Sequence, residues 1–300
     1  MNAQPRPVKT RLSEQRLRMY IASFLDSFGN SVTRGTYERS LREFVRWFRR
    51  KKDFRFLVQD VERYKRYLTK ERKLSAVSVS AYLTSLRSLC SFLVEKRILK
   101  ANPAKFVGGN SRPRVHVRKA LSDDDVRRLL DTLGAEDEIG MRDTVILLLM
   151  LDCGLSESEL VHANVEDLTN NRLRVQSKGK VSKDEAVVVT SRVAEAARQY
   201  LEFRMIERKD ELKSGSPLLL SAGNRTRGER MSTRGIRDVM YNYLIAAGIR
   251  NHKESGITPH SLCYTAARRL AESGATPEEI RQRLRLGTIE TAKIYLKANS

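Results

Sequence analysis

Residues 257–265 read I-T-P-H-S-L-C-Y-T, and T-I-E-T-A-K-I-Y follows at 288–295, ending in Tyr295. The spacing between them predicts short helices. Thr258-Pro259 opens one over 259–273, and Ser273-Gly274 marks its turn. Thr276, Pro277 and Glu279 then supply an N-cap, a proline at the first helical position and an acid at the third. A last short helix carries Tyr295. The stretch thus presents a histidine, a thiol and a phenol, with no arginine inside the first motif.

Upstream, Met141–Cys153 is apolar all round, which predicts a buried central helix. Ser122 and Asp125 read as a capping-box start for a helix through Leu133. R-L-R-V-Q (172–176) and A-V-V-V-T (186–190) predict two strands, joined by S-K-G-K-V-S-K-D-E. Further helices are expected over 191–208 and 232–247. Nearer the N-terminus, Tyr37, Leu41, Phe44, Val45 and Phe48 share one face of a helix over 34–52. Arg39, Arg42, Arg46, Arg49 and Arg50 are interleaved with them, and Lys51 and Lys52 follow. Asp60 and Ser75 read as caps of two more helices. The class is mostly α with a small antiparallel β-sheet (α+β).

Composition points to a partner. The chain has 300 residues and a net charge of +21. Residues 1–118 hold 28 Lys and Arg against 9 Asp and Glu; residues 119–300 hold 29 against 27. So basic a first part predicts a polyanion, nucleic acid foremost. V-G-G-N-S-R-P-R-V-H-V-R-K (107–119) reads as a basic linker, either laid along a phosphate backbone or simply solvated. The expected division is a flexible arm over 1–12, a helical DNA-binding domain over 13–106, the linker over 107–119 and a second domain over 120–300. Three separated cysteines and four histidines form no ligand cluster, so no metal or cofactor is expected. The longest apolar run, 145–151, is too short to span a bilayer, and no apolar leader opens the chain. A cytoplasmic, nucleoid-associated protein with no membrane or small-molecule partner is expected.

The motifs in order resemble the tyrosine recombinases, the phage-integrase family. T-Y-x-x-x-L-x-x-F-x-x-W, L-S-A-V-S-V-S-A-Y-L and I-L-K-A-N-P-A are similar to that family's core-binding domain. H-S-L-C-Y-T and I-E-T-A-K-I-Y resemble the end of its catalytic domain. The resemblance implies a two-domain clamp on duplex DNA and a metal-free reaction. A tyrosine attacks a phosphodiester to leave a 3′-phosphotyrosine. Two arginines hold the non-bridging oxygens, a hairpin lysine protonates the leaving oxygen, and histidines assist.

Carried over residue by residue, Tyr295 matches the nucleophile, Lys178 the hairpin lysine and His260 the first histidine. The first arginine belongs in G-L-R-x-S-E-L, where this chain has G-L-S-E-S-E-L (154–160), so Ser156 stands there. Cys263 stands at the second arginine and Leu286 at the late histidine. Removing one preorganised transition-state donor typically costs about 10²–10³ in rate. A DNA-binding protein deficient in cleavage is therefore expected, serving as accessory, regulatory or architectural factor, or joining an active paralogue or further copies of itself on DNA. An active recombinase with a rearranged cation set is the alternative. Arg268 and Arg269 lie off the face of Cys263, whereas Arg283 and Arg285 flank position 286. Arg87, Arg112, Arg114 and Arg118 join the cations of the 34–52 helix as expected DNA contacts. Five residues follow Tyr295, little chain for a tail exchanged between protomers.

Overall fold

The computed structural model describes residues 12–29, 31–51, 54–109, 119–134, 136–177, 180, 182–250 and 256–297. The chain divides into two units, Met1–Arg114 and Val115–Ser300.

The first unit is built from α1 (Glu14–Asp26), α2 (Ser31–Phe48), α3 (Val58–Arg66) and α4 (Ala76–Glu95). Leu41, Phe44, Val45 and Phe48 of α2 are buried, as their spacing requires. Trp47 is buried too, its ring meeting Tyr64 at 5.1 Å and Phe54 at 5.6 Å. Leu12, which the sequence assigns to the arm, joins this core. α2 ends sooner than expected, so Arg49 and Arg50 fall in the turn after it and not on the helix. Asp60 is not the cap of α3. Leu57 holds that place, and the Asp60 carboxylate reaches back to accept the N–H groups of Arg55 (2.8 Å) and Leu57 (3.1 Å).

α3 runs into a π-helical turn, Tyr67–Glu71. Ser75 caps α4 as expected, its Oγ accepting the Ser78 N–H at 3.2 Å. Leu83, Leu86, Leu89 and Leu93 line the buried side of α4. Among the described residues α4 is the one helix long and apolar enough to cross a membrane. Its apolar stripe is spent on the core of this unit.

The second unit packs α5 (Asp123–Asp131), α6 (Glu138–Asp152), α7 (Glu157–His162), α8 (Ser191–Ile206) and α9 (Thr233–Ala246) into one core. α6 is the central helix its composition demands: Val145 through Leu151 are all buried. The Ser122–Asp125 and Thr276–Glu279 caps form as read, although α5 ends at Asp131. The strands are shorter than expected, β2 (Arg172–Val175) and β3 (Glu185–Val188), and a third, β1 (Leu168–Thr169), precedes them. The sheet is antiparallel in the order β1-β2-β3. Two residues are too few for a period to show. The signal for β1 is Asn170-Asn171, both at positive φ (50° and 56°), a tight hairpin turn.

α10 (Ser261–Glu272), α11 (Pro277–Arg283) and α12 (Ile289–Lys297) close the unit. Thr265 on α10 is fully buried; its Oγ1 accepts the Leu121 N–H at 2.9 Å and donates to the Ser261 carbonyl. That bond ties the start of the unit to the helix bearing the signature motif.

Candidate active site

The turn between α6 and α7 brings G-L-S-E-S-E-L against α10 and α11. Gly154 makes this possible. Its φ is +63°, and a Cβ there would lie 2.2 Å from Leu284 Cδ2. Leu155 then reaches α10, where the Cys263 thiol donates to the Leu155 carbonyl at 3.2 Å. The positions of both expected arginines, Ser156 and Cys263, are therefore adjacent in space.

Neither residue can clamp a phosphate. Ser156 precedes α7, and its Oγ donates to Glu159 at 2.7 Å while its N–H donates to the same oxygen at 2.8 Å. Cys263 is buried. Burial, reinforced by the nearby Glu157 and Glu159 charges, pushes its thiol well above the ordinary range, so it stays neutral.

A guanidinium does enter the site, from a direction the family pattern does not predict. Arg285, at φ 53°, turns its side chain inward until it is 4% exposed. Nε and Nη2 both face the buried Glu159 carboxylate, Nη2 also donates to the Gly154 carbonyl at 3.3 Å, and Nη1 donates to the Arg283 carbonyl at 2.6 Å. The cation is thus bonded to Glu159 beside Ser156, the position where the resemblance expects the first arginine. Leu286 points into the apolar cluster of Tyr264, Ala267, Ile280 and Leu284. The position where the resemblance expects a late histidine is thus spent on packing.

The remaining residues are placed as follows. His260 stands at the N-cap position of α10 without a side-chain capping bond and is half-buried, its ring edge-on to Tyr264 at 5.6 Å. Tyr295 lies on α12. Its side chain, and all of Lys178, lie outside the described residues, as do Lys52, Arg112, Arg114 and Arg118. Lys180, next along the hairpin, pairs with Glu185 at 3.0 Å. Burial raises the Glu185 carboxyl, but the Ser177 and Lys180 bonds, with the Arg285 charge, hold it below its usual range. Arg268 is engaged by Asp123 at 2.6 Å and by Glu272, away from Cys263.

Of the expected DNA contacts in the first unit, Arg39, Arg42, Arg46, Arg49, Arg50 and Lys51 are exposed. Arg87 is turned inward instead: its Nε and Nη2 donate to the carbonyls of Ala104 (3.1 Å) and Val107 (3.2 Å). Helical spacing gave no hint of those carbonyls, because the turn over 103–106 folds back onto α4.

A helical unit followed by a mixed unit that ends in a histidine-bearing helix and a tyrosine-bearing helix defines a tyrosine-recombinase-type protein. The phage integrase family model matches residues 119–300, and the model of the phage integrase N-terminal SAM-like domain matches residues 61–108. The chain belongs to the phage integrase family. It is 30% identical over 292 residues to tyrosine recombinase XerC of Thermodesulfovibrio yellowstonii, spanning 93% of this chain and 91% of that one. Tyrosine recombinase XerC of Escherichia coli O157:H7 (strain EC4115 / EHEC) is 30% identical over 227 residues, 76% of this chain and 72% of that one. Two solved structures share the fold. XerH site-specific recombinase on palindromic difH, in a post-cleavage complex, has a TM-score of 0.70 at 16% identity, covering 96% of this chain and 82% of that one. A lambda integrase(75-356) dimer on a COC′ core site has a TM-score of 0.69 at 15% identity, covering 94% of each.

Proposed function

We propose that this chain binds duplex DNA through a core-binding domain over 13–106 and the linker over 107–119, and that its catalytic-type domain is deficient in strand cleavage. It serves as an accessory, regulatory or architectural factor in recombination, integration or transcription. It works in the cytoplasm on the nucleoid, alongside an active paralogue or further copies of itself. One observation carries the deficiency: Arg285, the guanidinium that enters beside Ser156, is buried and bonded to Glu159. A guanidinium spent on a carboxylate has little left for a transition-state phosphate. With Ser156 and Cys263 both neutral, two donors are missing, and a loss of about 10⁴ or more is expected.

The test uses a nicked suicide duplex that traps a covalent protein–DNA adduct. The expected result is tight, salt-sensitive binding with no adduct. An adduct that forms with the unaltered chain and disappears in Tyr295→Phe overturns the deficiency.

The same geometry favours a second reading, an active recombinase. Arg285 brings a cation to the site, and the XerC relatives are named as tyrosine recombinases. On that reading Arg285 leaves Glu159 when DNA binds, and Arg285→Ala abolishes the adduct that the unaltered chain forms.

A further inference from the structure

The first unit holds a buried carboxylate that its fold does not need for neutrality. Glu43 sits on α2 beside the apolar stripe, its side chain 8% exposed. Three donors converge on it. The Tyr67 hydroxyl donates to Oε1 at 2.6 Å, Arg46 Nη1 donates to Oε2 at 2.6 Å, and Arg72 Nε lies 3.1 Å from Oε1. One cation would balance the charge; two are supplied. Both arginines remain half-exposed, Arg46 at 55% and Arg72 at 47%. Arg50 is near enough for its charge to act on Tyr67.

The backbone sets up the second arginine. In the π-helical turn the Arg72 N–H donates to the Tyr67 carbonyl, five residues back instead of four. That changes the rotation per residue and brings position 72 round to the face of α2 where Glu43 lies. Leu74 N–H then donates to the Leu68 carbonyl, fixing the chain on the far side of Arg72. Tyr67, at the head of the same turn, meets the same carboxylate.

We infer that Glu43 is a positioning residue, and that Arg46 and Arg72, held one on each of its oxygens, form a preorganised seat for backbone phosphate of duplex DNA. The cluster keeps a net charge of +1. Each guanidinium has one nitrogen on Glu43, and each side chain keeps about half its surface in solvent. Holding an arginine side chain in one geometry before binding removes part of the ordering cost of the contact, and guanidinium forks match phosphate oxygens. Arg42 is the contrast: it is 69% exposed and pairs with the half-exposed Glu38 one turn away. The inference rests on the DNA-binding reading above.

The experiment measures anisotropy of a short fluorescein-labelled duplex with the full chain across a salt series. Arg72→Ala is expected to weaken binding about tenfold and to lower the salt slope by about 0.9. The decisive variant is Glu43→Gln. It makes the domain more positive, so charge alone predicts tighter binding. The seat predicts weaker binding, by severalfold, and no further weakening in an Arg46→Ala/Arg72→Ala background. Equal or tighter binding by Glu43→Gln, with the wild-type melting profile, overturns the seat. Arg72→Lys keeps the charge and leaves Glu43 in place; affinity equal to wild type also overturns it. Wild-type protein that fails to bind the duplex sinks the DNA-binding reading itself, a result distinct from either.

Discussion

Glu43 in the first unit and Glu159 in the second are both buried carboxylates that hold guanidinium groups, but the guanidiniums end in different places. Arg46 and Arg72 reach Glu43 from outside and stay half in water. Arg285 follows Glu159 into the interior and is 4% exposed. The difference teaches that a carboxylate can either present an arginine or consume it. Which happens depends on whether the remaining N–H donors find solvent or protein. Around Glu159 they find the carbonyls of Gly154 and Arg283. Around Glu43 the arginine side chains stay half-exposed to solvent.

The comparison can be broken most decisively at Glu159. Glu159→Gln strands a buried guanidinium, and unfolding in urea is expected to show a loss of about 3–5 kcal/mol. A loss under 1 kcal/mol would mean that Arg285 simply swings out to water. Glu43→Gln should cost less, about 1–2 kcal/mol by the same measurement, since its partners are already hydrated and Tyr67 keeps an acceptor.

A separate contribution, confined to alkaline pH, comes from the buried thiols. Burial raises the Cys90 pKa to about 12 and the Cys153 pKa to about 11. Each thiol is raised above its unfolded value, so the stability it contributes is fully present below about pH 8.5 and is lost as pH rises through the folded value. Stability measured between pH 9 and 11 should therefore fall with a shallower slope in Cys90→Ala than in wild type. An unchanged slope would mean that Cys90 is ionisable in the native state. At the bottom of the scale, Arg42→Ala removes an exposed i,i+4 pair and is expected to change stability by under about 0.5 kcal/mol. A larger loss would show that exposed arginines on α2 carry structure, blurring the contrast with Arg285.

Much of this was legible in the chain. The α2 stripe, the all-apolar α6 and the capping residues Ser75, Ser122 and Thr276 act locally, through period and backbone N–H groups within a turn of themselves. They appear where expected. What was not legible had remote partners. Arg87 looks like one more surface cation until the 103–106 turn brings carbonyls to it. Arg72 sits outside every basic run that reads as a face, and the π-helical turn that aims it leaves no periodic mark. Asp60 reads as a cap because it is an acid near a helix start; the helix in fact begins earlier, after Leu57, which leaves Asp60 at its third position.

By itself the sequence determined the family, the division of charge and a serine and a cysteine at the two positions where the resemblance expects arginines, because these are matters of which residue type stands at which spacing. Only the tertiary structure decided what fills the gap they leave. Glu159, three residues after Ser156, is a buried anion that requires a cation. The fold supplies Arg285 from 126 residues away. A one-dimensional pattern cannot show that choice, since charge neutrality in a low-dielectric interior is a condition on space and not on sequence order.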